Sequence, residues 1–330
     1  MNGICTLGND RVLDQILALL NSIEACMGPE VPVCIYPYND NVTKLREAIA
    51  GRPQVSLYDD RRSIEYWDQY VRRIWDAHPK AKAQWRAAGS LDYYRVGTHR
   101  RFCAFDGPFE QFIYMDADTL LLQDISFIWD QLEHADWITY DFQHKNPTHV
   151  YAVDSPILHQ VFSEQQIAQD IFCSGFYGTH RRVFSPETLA TLLQHLESGE
   201  AELLYPMAPD QTILNYMVMR SGLRYTNLAL SGTDPTGNCV TSSHFEVRND
   251  RVYDGDRPLT YLHYIGVASG AFQRLCQGEN LAIPYRGVFL HYRYRHEPNR
   301  LPRYRGRPQP VNPSPSLPQR LLQKLGLTSA

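Results

Sequence analysis

The sequence predicts an α/β protein with a mostly parallel central sheet flanked by helices, followed by a basic, proline-rich tail. Three observations lead there. The chain opens as strand, helix, strand; a further apolar run, Gln111-Phe-Ile-Tyr-Met115, ends abruptly in Asp116 and Asp118; and stripes at helical spacing separate the remaining apolar runs. Neighbouring strands joined through a helix lie parallel, because the crossover returns the chain to the same end of the sheet.

Residues 3–7 (Gly-Ile-Cys-Thr-Leu) read as the first strand, followed by the loop Gly8-Asn9-Asp10. Leu13, Ile16, Leu17, Leu20 and Ile23 then recur at helical spacing until Gly28-Pro29 stops them. Val31 to Tyr36 and Val55 to Tyr58 read as the next strands. Ile64, Trp67, Val71, Ile74 and Trp75 form a second helical stripe, ended by His78-Pro79. Asp92 to Phe105 is expected to be helical and to lead into the strand before Asp116; Trp137 to Tyr140 reads as a further strand. Ser185-Pro186-Glu187 is a helix start, with Ser as N-cap and Pro in the first turn; Leu189, Leu192, Leu193 and Leu196 are its buried face. Another helix spans about Asp210 to Arg220, closed by Gly222. Residues 231–258 are rich in turn formers and read as loop or hairpin, and Tyr261 to Ile265 and Val288 to Tyr292 as late strands.

At 330 residues the chain can bury a large core, and one domain is expected over 1–290 with the tail in 291–330. The net charge of −4 gives no general attraction for nucleic acid. Seven Cys, an odd number with no Cys-x-x-Cys pair, suit buried thiols in a reducing cytoplasm better than a disulfide or zinc framework. No 18-residue apolar stretch occurs and no basic-then-apolar segment opens the chain, so neither export nor membrane spanning is expected. The tail holds eight Arg or Lys against Glu297 alone, and ends in the amphipathic stretch Leu317–Leu327. It reads either as a peripheral foothold on an anionic membrane, or as a strap or disordered end.

Asp116 and Asp118, two apart at a strand end, can point the same way. Paired carboxylates repel unless a cation lies between them, so the pattern asks for a hard divalent metal with open positions for phosphate oxygens. A phosphatase that uses Asp-x-Asp-x-Thr would need Thr where Leu120 stands.

The order of motifs carries more than any one of them. Asp92-Tyr-Tyr-Arg95, Asp116-Ala-Asp118, Cys173-Ser-Gly175, Asp210-Gln-Thr-Ile-Leu-Asn215 and His263-Tyr-Ile-Gly266 follow one another in a series. This series resembles the GT-A fold glycosyltransferases, closest to the retaining, family 8-like enzymes. The resemblance implies Mn2+ or Mg2+ on Asp116, Asp118 and His263, bridging the diphosphate of a nucleotide-sugar donor such as a UDP-sugar. It further implies donor contacts from Asn9, Asp10, Arg95, Ser174, Gly175 and Gly266, and catalytic roles for Asp210, Gln211 and Asp141. The sugar would pass with retention to a glycan or glycolipid acceptor. His291 competes with His263 as the third ligand. The chain departs from the family twice: Cys173 stands where Asn is usual, and Ser269-Gly-Ala-Phe272 replaces Lys-Pro-Trp, leaving Arg274 as a candidate for the missing lysine. Two other functions remain open. One is a non-catalytic nucleotide-sugar or carbohydrate binder. The other is a sugar nucleotidyltransferase, for which Leu7-Gly-Asn-Asp-Arg11 is poor in glycine.

Overall fold

The computed structural model describes residues 1–90, 93–230, 238–239, 242 and 244–311. Its main sheet is built from β1 (Asn2–Gly8), β2 (Val33–Pro37), β3 (Val55–Leu57) and β4 (Gln111–Met115). After β4 the short strand β5 (Thr119–Leu121) leaves the sheet, and β6 (Trp137–Thr139), β7 (Phe176–His180) and β8 (Tyr225–Asn227) return to it. The order is β3-β2-β1-β4-β7-β6-β8. Four of the six pairings are parallel; the other two belong to β7, which is antiparallel to both β4 and β6.

Local chemistry explains the helices on either face. In α1 (Leu13–Met27), Ile16, Leu19, Leu20 and Ile23 are buried against one side of the sheet, and Gly28 at φ 94° ends the helix. The first turn of α2 (Thr43–Ile49) receives the Asp10 carboxylate. Asp60 caps α3 (Arg61–Asp76), accepting from the backbone N–H groups of Arg62 and Ser63. The apolar stripe of α3 packs on the opposite face with the helices Pro186–Glu197 and Pro209–Arg220. Ser185 caps the former by accepting from the Thr188 N–H.

A second, smaller sheet decides where the site forms. Its strands are β5, β9 (Asn238–Cys239) and, after the hairpin strands β10 (Glu246–Arg248), β11 (Arg251–Asp254) and β12 (Arg257–Pro258), β13 (Tyr261–His263). Antiparallel pairing of β13 with β5 sets His263 opposite Thr119.

Two expected elements differ. Val288 to Tyr292 is not a strand but part of the helix Arg286–Arg293, burying Val288, Phe289 and Tyr292. That spacing suits a helix face, and so short an apolar run does not separate the two periods. The helix expected over Asp92 to Phe105 is a 3-10 helix, Val96–Asp106, entered through Arg95 in the left-handed region at φ 50°; Asp92 itself lies outside the described residues. A Cβ on Gly97 would lie 2.2 Å from the Tyr38 carbonyl, so this turn rests directly on neighbouring backbone.

The division expected at residue 290 falls inside the helix Arg286–Arg293. Beyond it the chain is strapped to the domain. Asn21 donates to the Tyr292 carbonyl at 2.7 Å, Arg293 pairs with Asp14 at 2.7 Å, and Tyr304 donates to the Leu275 carbonyl at 3.0 Å. Gln309–Pro310 adds a short strand beside Leu281–Ala282. The amphipathic stretch 317–327 lies outside the described residues. No helix among the described residues is long and apolar enough to cross a membrane.

Candidate active site

The site starts where β4 ends. The Asp116 N–H donates to the Gly175 carbonyl at 2.9 Å, and Thr119 closes the turn by donating its N–H and hydroxyl to the Asp116 carbonyl at 3.0 and 2.7 Å. This tight turn between two sheets leaves both carboxylates partly exposed on one side. His263, almost fully buried on β13, brings Nε2 to 3.3 Å from Asp118 Oδ1 and 3.9 Å from Asp116 Oδ2. One ligand atom from each of the three residues lies within 4.8 Å of the other two. His291, the competing ligand, is elsewhere, paired with Asp250 at 3.3 Å.

Two carboxylate oxygens and one imidazole nitrogen facing one point suit a divalent cation of the Mn2+ or Mg2+ kind. Without a cation the charges are divided unevenly. Burial pushes the Asp116 carboxyl up, against the pull of Arg101. Burial acts the same way on Asp118, but the His263 imidazolium beside it wins and holds that carboxyl below its ordinary value. His263 is correspondingly raised: burial opposes its charge and Asp118 overcomes that.

Arg101, which the sequence reading missed, is the centre of the buried network. It comes from the 3-10 helix and is 4% exposed. Its Nη2 lies 2.9 Å from Asp116 Oδ1 and 2.8 Å from Asp210 Oδ2, and its Nη1 donates to the Ser174 carbonyl at 2.8 Å. The guanidinium also lies over the Tyr114 ring, 4.8 Å from its centre, and the Tyr114 hydroxyl donates to Asp116 Oδ1 at 3.0 Å. The planar fork of donors serves several acceptors at once, which an ammonium does less well. The signal for it was a charge placed directly before the buried run Phe102-Cys-Ala-Phe105. His99, which interacts electrostatically with Asp210 although burial disfavours its own charge, was missed too.

The other expected residues fall into two groups. Near the metal cluster, Asp210 pairs with Arg101; burial works against its charge, yet Arg101 holds its carboxyl below the ordinary value. Gln211 is braced at both ends of its amide, accepting from the Ser174 N–H at 3.2 Å and donating to the His149 carbonyl at 3.1 Å. Asp141 accepts from the N–H groups of Gln143 (2.7 Å) and Cys173 (3.1 Å), and burial nevertheless raises its carboxyl to about 7. At Gly175 a Cβ would lie 2.2 Å from His263 Cε1, so glycine is needed for the ring to fit. Gly266, at φ 82°, makes the turn just after β13.

The second group is occupied by folding. Asn9 caps the turn that follows β1 by accepting from the Arg11 N–H at 3.1 Å, and donates to Asn39 at 3.1 Å. Both carboxylate oxygens of Asp10 accept backbone N–H groups, from Lys44 at 3.1 Å and Leu45 at 2.9 Å. Arg95 is exposed and reaches this network only through its charge, which helps lower Asp210. Arg274 is exposed and paired with Glu279 at 2.7 Å.

No protein-family model and no curated protein matches this sequence. Solved structures do match in shape. The apo structure of the bifunctional glycosyltransferase WbbM superposes with a TM-score of 0.54 at 14% identity, covering 91% of this chain. The present chain spans about half of that protein, 51% of its length. An active-site mutant of LgtC superposes with a TM-score of 0.50 at 14% identity, over 84% of this chain and 95% of LgtC. Likeness at this identity speaks to fold, and the fold is GT-A.

Proposed function

We propose that the protein is a glycosyltransferase that moves a sugar from a nucleoside-diphosphate donor, with UDP as the nucleotide, to a hydroxyl of a glycan or glycolipid. The observation that carries this reading is the convergence of Asp116, Asp118 and His263 at the carboxyl end of a central strand in a GT-A fold. Mn2+ or Mg2+ held by these three residues would offset the negative charge that grows on the departing diphosphate. Arg101 then acts as a positioning residue, occupying Asp116 Oδ1 and leaving Oδ2 to face His263. Through Asp210 and the Ser174 carbonyl it ties the metal side to the helix carrying Gln211.

Retention belongs to the same proposal. Asp210 is paired with Arg101, and both carboxylate oxygens of Asp141 accept backbone N–H groups, which favours a reaction that needs no carboxylate base on the acceptor. The leaving phosphate would take the acceptor's proton, with Gln211 held beneath the sugar by Ser174 and His149. A protonated Asp141 would offer a hydrogen bond to a sugar or acceptor oxygen.

The test is a panel of nucleotide sugars with Mn2+, read first for thermal stabilisation and then for donor hydrolysis. Metal-dependent turnover of one donor is expected; no stabilisation by any donor would sink the reading. One observation favours a second reading, a binder without turnover. Arg274, the candidate for the absent lysine, lies in an exposed ion pair with Glu279 that a diphosphate would have to displace. Stabilisation without hydrolysis would select it.

The tail completes the proposal. Arg295, Arg303, Arg305 and Arg307 are exposed along the strap, which suits a peripheral contact with an anionic membrane from the cytoplasm. Truncation after Asn312 together with Arg303→Ser, Arg305→Ser and Arg307→Ser should abolish sedimentation with anionic vesicles; unchanged sedimentation would remove membrane contact from the proposal.

A further inference from the structure

The three metal-ligand candidates are themselves held by a cradle, and one of its members stands at an unexpected place. The segment Cys173-Ser174-Gly175 is fixed at each residue. The Cys173 N–H donates to Asp141, the Ser174 N–H to Gln211, and the Ser174 and Gly175 carbonyls accept from Arg101 and from the Asp116 N–H. Into this rigid segment the His263 ring inserts edge first, with Cε1 over Gly175. Its two nitrogens then face opposite partners. Nε2 faces Asp118 and Asp116, and Nδ1 lies 3.9 Å from the Cys173 sulfur.

Resting on the metal-site reading above, we propose that Cys173 is the positioning residue for His263. Its sulfur holds Nδ1–H, and so leaves Nε2 as the nitrogen that binds the cation. A metal-bound imidazole nearly always donates its other N–H to a partner, which sets ring orientation and ligand strength. Here that partner is a thiol, where a carboxylate or carbonyl oxygen is more usual. Sulfur is a weak acceptor, so the imidazole gains orientation with little added basicity. When both ring nitrogens carry protons and Nε2–H faces Asp118, Nδ1–H still donates to the sulfur, so the contact persists. Asparagine at 173 would reach further than the sulfur and offer an amide in place of this single contact. The substitution at this position therefore matches the placement of His263 and need not mark a decayed site.

The test uses the whole chain without donor. Mn2+ affinity is measured by electron paramagnetic resonance for wild type, Cys173→Ala and Cys173→Ser. Cys173→Ala should weaken Mn2+ about tenfold or more, and Cys173→Ser, whose hydroxyl can accept and donate, should recover most of the loss. Melting temperatures taken alongside separate this from misfolding; a Cys173→Ala protein that melts like wild type is expected. Co2+-loaded wild type should show no thiolate-to-metal charge-transfer band, because the sulfur acts through the imidazole. Such a band would overturn the positioning role by making Cys173 a direct ligand. A Cys173→Ala affinity within about twofold of wild type would overturn it as well. Wild type that binds no Mn2+ would overturn the metal-site reading instead.

Discussion

Asp10 and Asp118 each stand just past the carboxyl end of a parallel strand, β1 and β4, and their fates are opposite. Asp10 is satisfied by two backbone N–H groups from the start of α2. Among the described residues no neighbouring helix gives Asp118 such amides; it faces His263 and shares its space with Asp116. A carboxylate bonded to amides at a helix start contributes to folding and has little left for a ligand. Carboxylates aimed at one another, with an arginine behind and an imidazole in front, are left with oxygens that can turn to a cation. The difference teaches that strand-end acids mark a site only when a second element fails to cap them.

The sharpest way to break this comparison is to remove the buried arginine behind the acids. Arg101→Ala takes the buried arginine from Asp210 and leaves Asp116 with Tyr114 and His263, and should cost about 3–5 kcal/mol in urea unfolding. Arg101→Lys should recover part of that, because it keeps charge without the fork. A loss below about 1 kcal/mol would mean the acids are not held by this arginine.

Next in size is a pH effect at Asp141. Its carboxyl keeps a proton up to about 7 when folded, whereas an unfolded Asp loses it near ~4. Relative to Asp141→Asn, the wild-type fold should lose stability as pH rises from about 4 to about 7, by up to ~4 kcal/mol. Parallel stability curves for the two proteins would contradict the burial argument.

Asp118→Asn tests the ligand half of the comparison. Metal-dependent donor hydrolysis should fall about 100-fold or more, with the circular dichroism spectrum retained. Near-normal turnover would remove Asp118 from the site. The smallest effect belongs to Asp10→Ala, which should cost about 1 kcal/mol of stability and leave Mn2+ affinity unchanged. A variant of normal stability but weakened donor binding would reverse the assignment made for Asp10.

The first strand, α1, α3 and β4 were legible because each carries an apolar run or stripe long enough to separate the two periods. The Asp116–Asp118 pair was legible for a related reason: polar residues interrupting a buried strand stand out in the sequence. His263 was found through the order of motifs, and its pairing register opposite Thr119 explains why it meets the acids. Arg101 escaped because a buried charge is recognisable only by its partners, which lie 15 and 109 residues away in the chain, at Asp116 and Asp210. The Val288 to Tyr292 segment escaped because five residues do not distinguish a strand from a helix face.

Taken alone, the sequence determined the α/β class, the stops of α1 and α3, the capped start at Ser185, and a pair of acids at the end of a buried strand. These follow from local periodicity, capping and turn chemistry, which act over a few residues. Tertiary structure alone decided that β7 runs against its neighbours, that Asp10 and Asn9 are engaged by capping, and that Arg101 and Cys173 stand behind the metal ligands. Those outcomes depend on which distant groups meet in low dielectric, where an unpaired charge or donor is costly and a paired one sets the geometry of the site.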